Sequence, residues 1–280
     1  MNKKICIIVS GPTAVGKTDY GIELALKYHC SIISADSRQC FKELNIGVAK
    51  PSGEQLEKVF HYFINTHSIH DDVNVKVFEE YALKAVHKIF EDNDTAVMVG
   101  GTGLYIKAFS EGLDEIPEVN NNVRDEIIEQ YKINGFDWLN NEIKLHDPVF
   151  YSKGEMKNPQ RMLRALEVKL STGKSILDFH SGKKETRDFE IKNILLELPR
   201  QQLYDNISHR VDKMMDDGLL NEVKSLFPLR HLNALQTVGY KELFDYFEGK
   251  ISLENAIEEI KKNTRHYAKR QMTWFRRYKI

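Results

Sequence analysis

The residues Gly11–Thr18 place the strongest constraint on this chain, because they fit the phosphate-binding pattern G-x-x-x-x-G-K-[ST]. The apolar run Ile5–Val9 before them is typical of a buried strand, and an amphipathic pattern through Ile22 and Ala25 predicts a helix after them. A strand that leads through a glycine-rich turn into a helix directs several backbone N–H groups at one anion. This context predicts a phosphate site and leaves the identity of the phosphate ligand open. The loop consists of Gly11, Pro12, Thr13, Ala14, Val15, Gly16, Lys17 and Thr18.

Two side chains at the end of this loop have expected roles in such a site. Lys17 would reach the outer phosphate oxygens, and the Thr18 hydroxyl is the predicted protein ligand of a Mg²⁺ ion. The alternative interpretation is a glycine-rich turn with a surface lysine. That alternative does not explain why Gly, Lys and Thr all occupy their expected positions.

The composition allows a large folded core and predicts no partner by itself. The chain has 280 residues, 41% of them apolar, which suits one large domain or a domain with an insertion. The net charge is -1, although the segment from Lys261 onward contains eight Lys or Arg and no Asp or Glu. The three cysteines lack metal-ligand spacing, and no stretch is long and apolar enough to span a membrane. We therefore expect a cytoplasmic protein with free thiols and no membrane partner. We also expect a monomer, although no feature of the sequence determines the oligomeric state.

Further apolar runs predict a parallel sheet with polar residues where its strands end. Ser31–Ala35 is typical of a buried strand and ends in Asp36, where ligands bind in open α/β sheets. The alternative role for Asp36 is to cap a helix, but its place beside the phosphate loop favours a functional role. Thr95–Val99 leads into a second glycine-rich turn, Gly100–Tyr105, whose glycines would allow close backbone approach and whose Thr102 would offer a hydroxyl. Two further strands are expected at His61–Ile64 and Ile191–Leu198.

Between these strands lies a polar segment, residues 115–175, without a strand pattern. Pro159 occupies a favourable first position of a helix in this segment. Arg161 and Arg164 follow it three residues apart and share one face of that helix, which for such a pair is ordinarily a solvated face. We expect a catalytic core formed by residues 1–114 and 176–280, and an all-helical insertion formed by residues 115–175.

Taken together, these motifs resemble those of the tRNA dimethylallyltransferases, also called tRNA isopentenyltransferases. The resemblance implies an α/β fold of the phosphate-loop type, with a parallel sheet flanked by helices. It also implies transfer of a dimethylallyl group from dimethylallyl diphosphate to N6 of the adenosine 3′ of the tRNA anticodon. The matching stretches are Gly11–Thr18, Ser34–Ser37, Ile46–Pro51, Val99–Tyr105, Pro159–Val168, Leu198–Met215, Gln236–Glu242 and Thr264–Arg277.

The resemblance also implies the roles of individual residues. Asp36 would accept the proton that N6 loses, and Lys17 and Arg210 would stabilise the leaving diphosphate. Thr102 would hydrogen-bond near the scissile oxygen, while Gly11–Thr18 would hold the donor diphosphate with Mg²⁺ at Thr18. The residues assigned to the anticodon stem-loop of tRNA are Asp36, Ser37, Arg38, Gln39, Thr102, Arg124, Gln160, Arg161, Met162, Leu163 and Arg164.

The chain departs from the family pattern at three positions near these motifs. Phe41, Val48 and Asn65 stand where family members commonly have Tyr, Thr and Asp. Three other functions stay open at this point: an adenylate isopentenyltransferase acting on free nucleotide, an ATP-dependent kinase with the same loop, and a non-catalytic RNA-binding protein. The helical insertion and the basic carboxyl-terminal segment favour an RNA acceptor over a free nucleotide.

Overall fold

The computed structural model describes residues 3–278, which form two compact units. One unit contains the described residues up to Gly112 and those from Thr186 onward, and the other is Leu113–Glu185. No helix among the described residues is both long and apolar enough to cross a membrane.

The first unit is built on a five-stranded parallel sheet, which confirms the predicted fold class. The strands are β1 (Ile5–Ser10), β2 (Ile32–Ala35), β3 (His61–Tyr62), β4 (Thr95–Gly100) and β5 (Glu190–Leu195), in the spatial order β3-β2-β4-β1-β5. The predicted strand at His61–Ile64 ends at Tyr62, because Phe63 and Asn65 have positive φ angles of 63° and 55° that turn the chain away.

Helices cover this sheet and also build the second unit. In chain order they are α1 (Lys17–Lys27), α2 (Gly53–Lys58), α3 (Val75–Asp92), α4 (Gly103–Glu111), α5 (Asn121–His146), α6 (Pro148–Lys153), α7 (Pro159–Thr172), α8 (Arg200–Asp216), α9 (Leu219–Leu226), α10 (Tyr240–Phe247) and α11 (Leu253–Tyr278). The strands β1 and β2 are apolar and almost fully buried, as expected for parallel strands covered on both faces. Their core contains all three cysteines as free thiols, which confirms that prediction.

The second unit is helical and has its own apolar core, to which Ile127, Leu139 and Leu166 contribute. Helix α5 is interrupted at Gly135, which has a φ of 72°. The second boundary of the unit lies at Glu185 and differs from the predicted position after residue 175. Ile176 belongs to the core of the unit, and both the backbone N–H and the hydroxyl of Ser181 donate to Asp114 at 2.8 Å.

Candidate active site

The polar residues that follow β1, β2 and β4 line one cavity of about 560 Å³ in the first unit. They meet there because the carboxyl ends of parallel strands lie at the same edge of a sheet. The volume is typical of a pocket for a small molecule. Its walls include residues 13–18 of the phosphate loop, Asp36 after β2, the loop through Lys50, and Arg210 on α8.

The backbone of the phosphate loop has positive φ angles at two glycines and also at one residue with a Cβ atom. Gly11 and Gly16 have φ angles of 149° and 94°, which glycine adopts without strain. Ala14 has a φ of 66°, which is unusual for a residue with a Cβ atom. The surrounding structure holds it: the Ala14 side chain packs with Ile207, and the Ala14 carbonyl accepts a hydrogen bond from Asn206 Nδ2 at 3.1 Å.

Two cations lie beside this loop. Lys17 Nζ donates to the carbonyl of Pro12 at 2.7 Å, and Arg210 Nη1 donates to Thr13 Oγ1 at 3.2 Å. Desolvation in the cavity, followed by the charge of Arg210, lowers the pKa of Lys17 from 10.5 to about 7. Burial also lowers the pKa of Arg210. A polyvalent anion in this part of the cavity would offset the unfavourable proximity of the two cations.

Asp36 is the carboxylate that follows β2 in the cavity, whose lining also includes Asp19 and Asp217. Its Oδ1 accepts hydrogen bonds from the backbone N–H groups of Arg38 at 2.9 Å and Gln39 at 3.3 Å, which closes a turn. No described residue donates to Oδ2, so this oxygen can accept a proton from a ligand. No helix begins here, and the capping alternative is therefore replaced by a turn that orients the carboxylate.

The second glycine-rich turn holds the turn of Asp36 in place. Thr102 Oγ1 accepts a hydrogen bond from the backbone N–H of Ser37 at 3.1 Å. Tyr267 lines the cavity, whereas the lining includes Gly100 and Gly101 but not Thr102 itself. Thr102 therefore lies next to the cavity wall, in a position to fix the residue beside Asp36.

The loop of residues 45–50 forms another wall of the cavity, and hydrogen bonds to Glu222 hold its backbone in place. Glu222 accepts hydrogen bonds from the backbone N–H groups of Ile46 at 2.8 Å and Gly47 at 3.0 Å, and from the Tyr240 hydroxyl at 2.5 Å. The Gln39 amide donates to the Ala49 carbonyl at 3.0 Å. The Gln39 side chain is therefore engaged within the protein, although the sequence resemblance assigned it to tRNA.

The three departures from the family pattern all lie around this wall. Lys50 Nζ donates at 2.5 Å both to the Asn65 side chain and to the carbonyl of Phe41, whose ring is buried. Val48 lines the cavity directly. Asn65 is neutral and binds Lys50 without the charge that a carboxylate would supply, while Glu222 and Glu43 act on Lys50 electrostatically.

The predicted tRNA residues of the second unit divide into exposed and buried side chains. Gln160 and Arg161 are exposed at the start of α7. The side chains of Met162 and Leu163 are buried in the core of this unit, and the assignment of these two positions to tRNA stays a prediction. Their apolar character accounts for this position, since α7 must bury one face.

The two remaining arginines of the second unit converge on one acid. Arg124 and Arg164 lie 3.8 Å and 3.4 Å from the carboxylate oxygens of Glu167, whose side chain is only 6% exposed. Both arginine side chains remain about half exposed. The buried carboxylate therefore fixes a pair of guanidinium groups that can still reach an anion.

The residues 3–278 contain no cluster of three or more His, Cys, Asp or Glu side chains suited to hold a metal ion. Thr18 and Asp19 nevertheless line the cavity with oxygen atoms. Mg²⁺ commonly takes one or two protein ligands and completes its coordination with phosphate oxygens and water. The residues present therefore fit a Mg²⁺ ion that arrives with a diphosphate.

Two polar residues that organise the site, the buried Gln271 and the partly buried Glu222, are not identified by the sequence motifs. Gln271 joins the two glycine-rich turns through hydrogen bonds to Thr13 and Gly101. Its position was accessible from the sequence, since Tyr267, Gln271 and Trp274 are spaced four and three residues apart and share one helix face. No comparable spacing identifies Glu222.

The fold and the cavity define a class of protein: an α/β protein with a phosphate-binding loop, in which cations and a carboxylate line one pocket. The sequence matches the family described as IPP transferase (IPPT) over residues 39–278. The chain belongs to this family.

Individual relatives agree along nearly the whole chain. The tRNA dimethylallyltransferase of Christiangramia forsetii is 47% identical over 271 residues, which cover 97% of this chain and 90% of that protein. A tRNA isopentenylpyrophosphate transferase from Bacillus halodurans has 34% identity and a TM-score of 0.68, with 98% of this chain and 87% of that chain covered. The structure of a eukaryotic dimethylallyltransferase acting on tRNA has 27% identity and a TM-score of 0.80, with 97% and 70% covered.

Proposed function

We propose that the protein transfers the dimethylallyl group of dimethylallyl diphosphate to N6 of the tRNA adenosine directly 3′ of the anticodon, releasing diphosphate. The observation that carries this proposal is that Lys17, Arg210 and Asp36 line one cavity. The cations suit a leaving diphosphate, and the carboxylate suits the proton of an amino group. Relatives named tRNA dimethylallyltransferase support the same donor and acceptor.

The transfer breaks the C–O bond between the dimethylallyl group and the diphosphate and forms a C–N bond to N6. The electron pair of the broken bond leaves with the diphosphate, where Lys17, Arg210 and the N–H groups of the loop stabilise the developing charge. Asp36 accepts the proton that N6 loses, so the amine product is neutral. Thr102 orients the turn of Asp36 through Ser37, and its contact with the scissile oxygen remains a prediction.

Mg²⁺ is the proposed cofactor, with the Thr18 hydroxyl as a protein ligand. When bound, the ion would neutralise charge on the diphosphate and so make it a better leaving group. Lys17 and Arg210 would act on the same phosphate oxygens from the protein side.

The proposed RNA contacts are electrostatic and aromatic. Arg124, Arg161 and Arg164 would bind backbone phosphates of the anticodon stem-loop. The aromatic and basic residues of α11 would bind unstacked nucleotides, since single-stranded RNA is commonly held by stacking and cations. The adenosine must leave its stack to reach Asp36, as in other enzymes that act on a base. This function also implies a cytoplasmic location, and we expect the protein to act as a monomer.

The test is to incubate the purified protein with unmodified tRNA and labelled dimethylallyl diphosphate, with and without Mg²⁺. We expect label on N6 of that adenosine, strongly reduced without Mg²⁺, and none on a matched tRNA with guanosine at the same position. Label on free AMP alone would instead support an adenylate isopentenyltransferase. Phosphoryl transfer from ATP without prenyl transfer would support a kinase, and either result would contradict the proposal.

A further inference from the structure

Gln271 is a buried polar residue of α11 with both ends of its amide bonded to the walls of the cavity. Its side chain oxygen accepts a hydrogen bond from the backbone N–H of Thr13 at 2.8 Å, and its amide nitrogen donates to the carbonyl of Gly101 at 2.8 Å. The residue is only 7% exposed. The partners fix the orientation of the amide, because a backbone N–H only donates and a carbonyl only accepts.

The two hydrogen-bond partners of Gln271 lie at different ends of the proposed site, one by the leaving group and the other by the proton acceptor. Thr13 lies in the phosphate loop, and its hydroxyl accepts the hydrogen bond from Arg210. Gly101 lies in the second glycine-rich turn, and its neighbour Thr102 holds the N–H of Ser37 beside Asp36. A continuous set of contacts therefore runs from the leaving-group cation through Gln271 to the turn of the proposed base.

The second turn is shaped to receive this helix. A Cβ atom at Gly101 would lie 2.3 Å from the Gln271 amide nitrogen, and one at Gly103 would lie 2.3 Å from the Trp274 ring. Tyr267, on the same face of α11, lines the cavity together with Gly100 and Gly101 of this turn. The close approach of α11 at Gly101 and Gly103 indicates a built contact rather than an incidental one.

We propose that Gln271 is a positioning residue that sets the spacing between the leaving-group site around Arg210 and the proton acceptor Asp36. This inference rests on the proposed function, because the spacing matters when both ends act in one transfer. The N–H of Thr13 is held by Gln271 and is not available to a phosphate. Gln271 also lines the cavity, but its side-chain oxygen and nitrogen are engaged with the loop and with the second turn.

Two variants separate the two hydrogen bonds. Gln271→Met keeps the size of the side chain and removes both bonds. Gln271→Glu keeps an acceptor for Thr13 but places a carboxylate oxygen against the carbonyl of Gly101, to which it can donate only when protonated. Gln202→Glu, at an exposed position of α8, is the control for the same chemical change.

Transfer kinetics give the first measurement. We expect Gln271→Met to lower kcat about 100-fold, since misplacement by about 1 Å can have such an effect, while KM for tRNA and the Kd for inorganic diphosphate change less than about threefold. The kcat of Gln271→Glu, relative to wild type, should rise as the pH is lowered and the new carboxyl is protonated. If Gln271→Met had a lower Tm but its folded fraction kept the kcat of the wild type, the inference would be overturned and Gln271 would have a structural role only.

Hydrogen exchange gives a measurement that does not depend on activity. In Gln271→Met the amide hydrogens of residues 11–18 and 100–105 should exchange faster than in the wild type, and Gln202→Glu should match the wild type. Unchanged exchange in both segments would overturn the inference. A wild-type protein that transfers no prenyl group would contradict the proposed function alone, because the exchange experiment would still report on Gln271.

Discussion

The two glycine-rich turns of this protein look alike in the sequence but require glycine for different physical reasons. In the first, Gly11 and Gly16 have φ angles of 149° and 94°, a backbone conformation that residues with a Cβ rarely adopt. A Cβ at Gly16 would meet nothing within 4 Å. The constraint at Gly16 is therefore the conformation of the backbone and not the space around it, whereas at Gly11 a Cβ would also lie 2.7 Å from the carbonyl oxygen of Leu196.

In the second turn the constraint is space. None of its glycines has a positive φ, but a Cβ at Gly100 would lie 2.2 Å from the carbonyl oxygen of Ala35. At Gly103 the obstacle is Trp274 of α11. The first turn is thus shaped for a ligand, whereas the second is shaped for its own protein and positions the residues beside Asp36.

The largest expected effect comes from removing the charge of Lys17, which belongs to the first turn and has no counterpart in the second. Lys17→Met should lower kcat/KM for transfer by about 10²–10³-fold, because it removes a cation from the charge that develops on the diphosphate. The Tm should change little, because burial disfavours the charged form of Lys17 and the lost charge therefore adds little to stability. Lys27→Met, at an exposed position of the same helix, should behave as the wild type. Equal losses in both variants would show that the cavity does not use Lys17.

The next effect concerns packing in the second turn. Gly103→Ala should destabilise the protein by about 1–3 kcal/mol, since the new methyl group overlaps the Trp274 ring. In a Trp274→Leu background the same substitution should cost much less, a coupling that Tm values of the four proteins can measure. Additive losses would contradict a steric origin. Gly16→Ala should show no coupling to Trp274→Leu.

The sequence predicted features that depend on neighbouring residues and did not predict contacts between residues far apart in the chain. Local patterns predicted the strands around the phosphate loop, because an apolar run followed by glycines is a signal confined to a few residues. The bond between Gln271 and Thr13 joins residues far apart in the chain, so no local pattern reports it. The burial of the Met162 side chain was not predicted either, because a motif gives the sequence position but not which face of the helix is buried.

A smaller effect concerns the pH dependence of the first turn. Lys17 has a folded pKa of about 7, below its ordinary value of 10.5, so it is largely neutral in the ligand-free protein above pH 7. Its contribution to stability is present above pH 10.5 and is lost as the pH falls through 7. Diphosphate binding favours the charged form and should therefore require uptake of a proton above pH 7.

Calorimetry between pH 6 and 9 can measure this effect. The Kd for diphosphate should rise up to about tenfold per pH unit above 7 in the wild type, relative to Lys17→Met, in which only the ligand titrates. Identical pH profiles would show that Lys17 stays charged. The second turn has no titratable group in this role, so Gly103→Ala should keep the profile of the wild type.

The smallest effect tests whether backbone conformation alone limits Gly16. Gly16→Ala should destabilise the protein by about 1 kcal/mol, because alanine has no compensation for a left-handed conformation. Gly16→Asn should cost less although asparagine is larger, since asparagine adopts positive φ more readily than other residues with a Cβ. Tm measurements of both variants decide the matter. If asparagine were worse than alanine, space rather than φ would limit Gly16, and the two turns would no longer differ in the physical reason for their glycines.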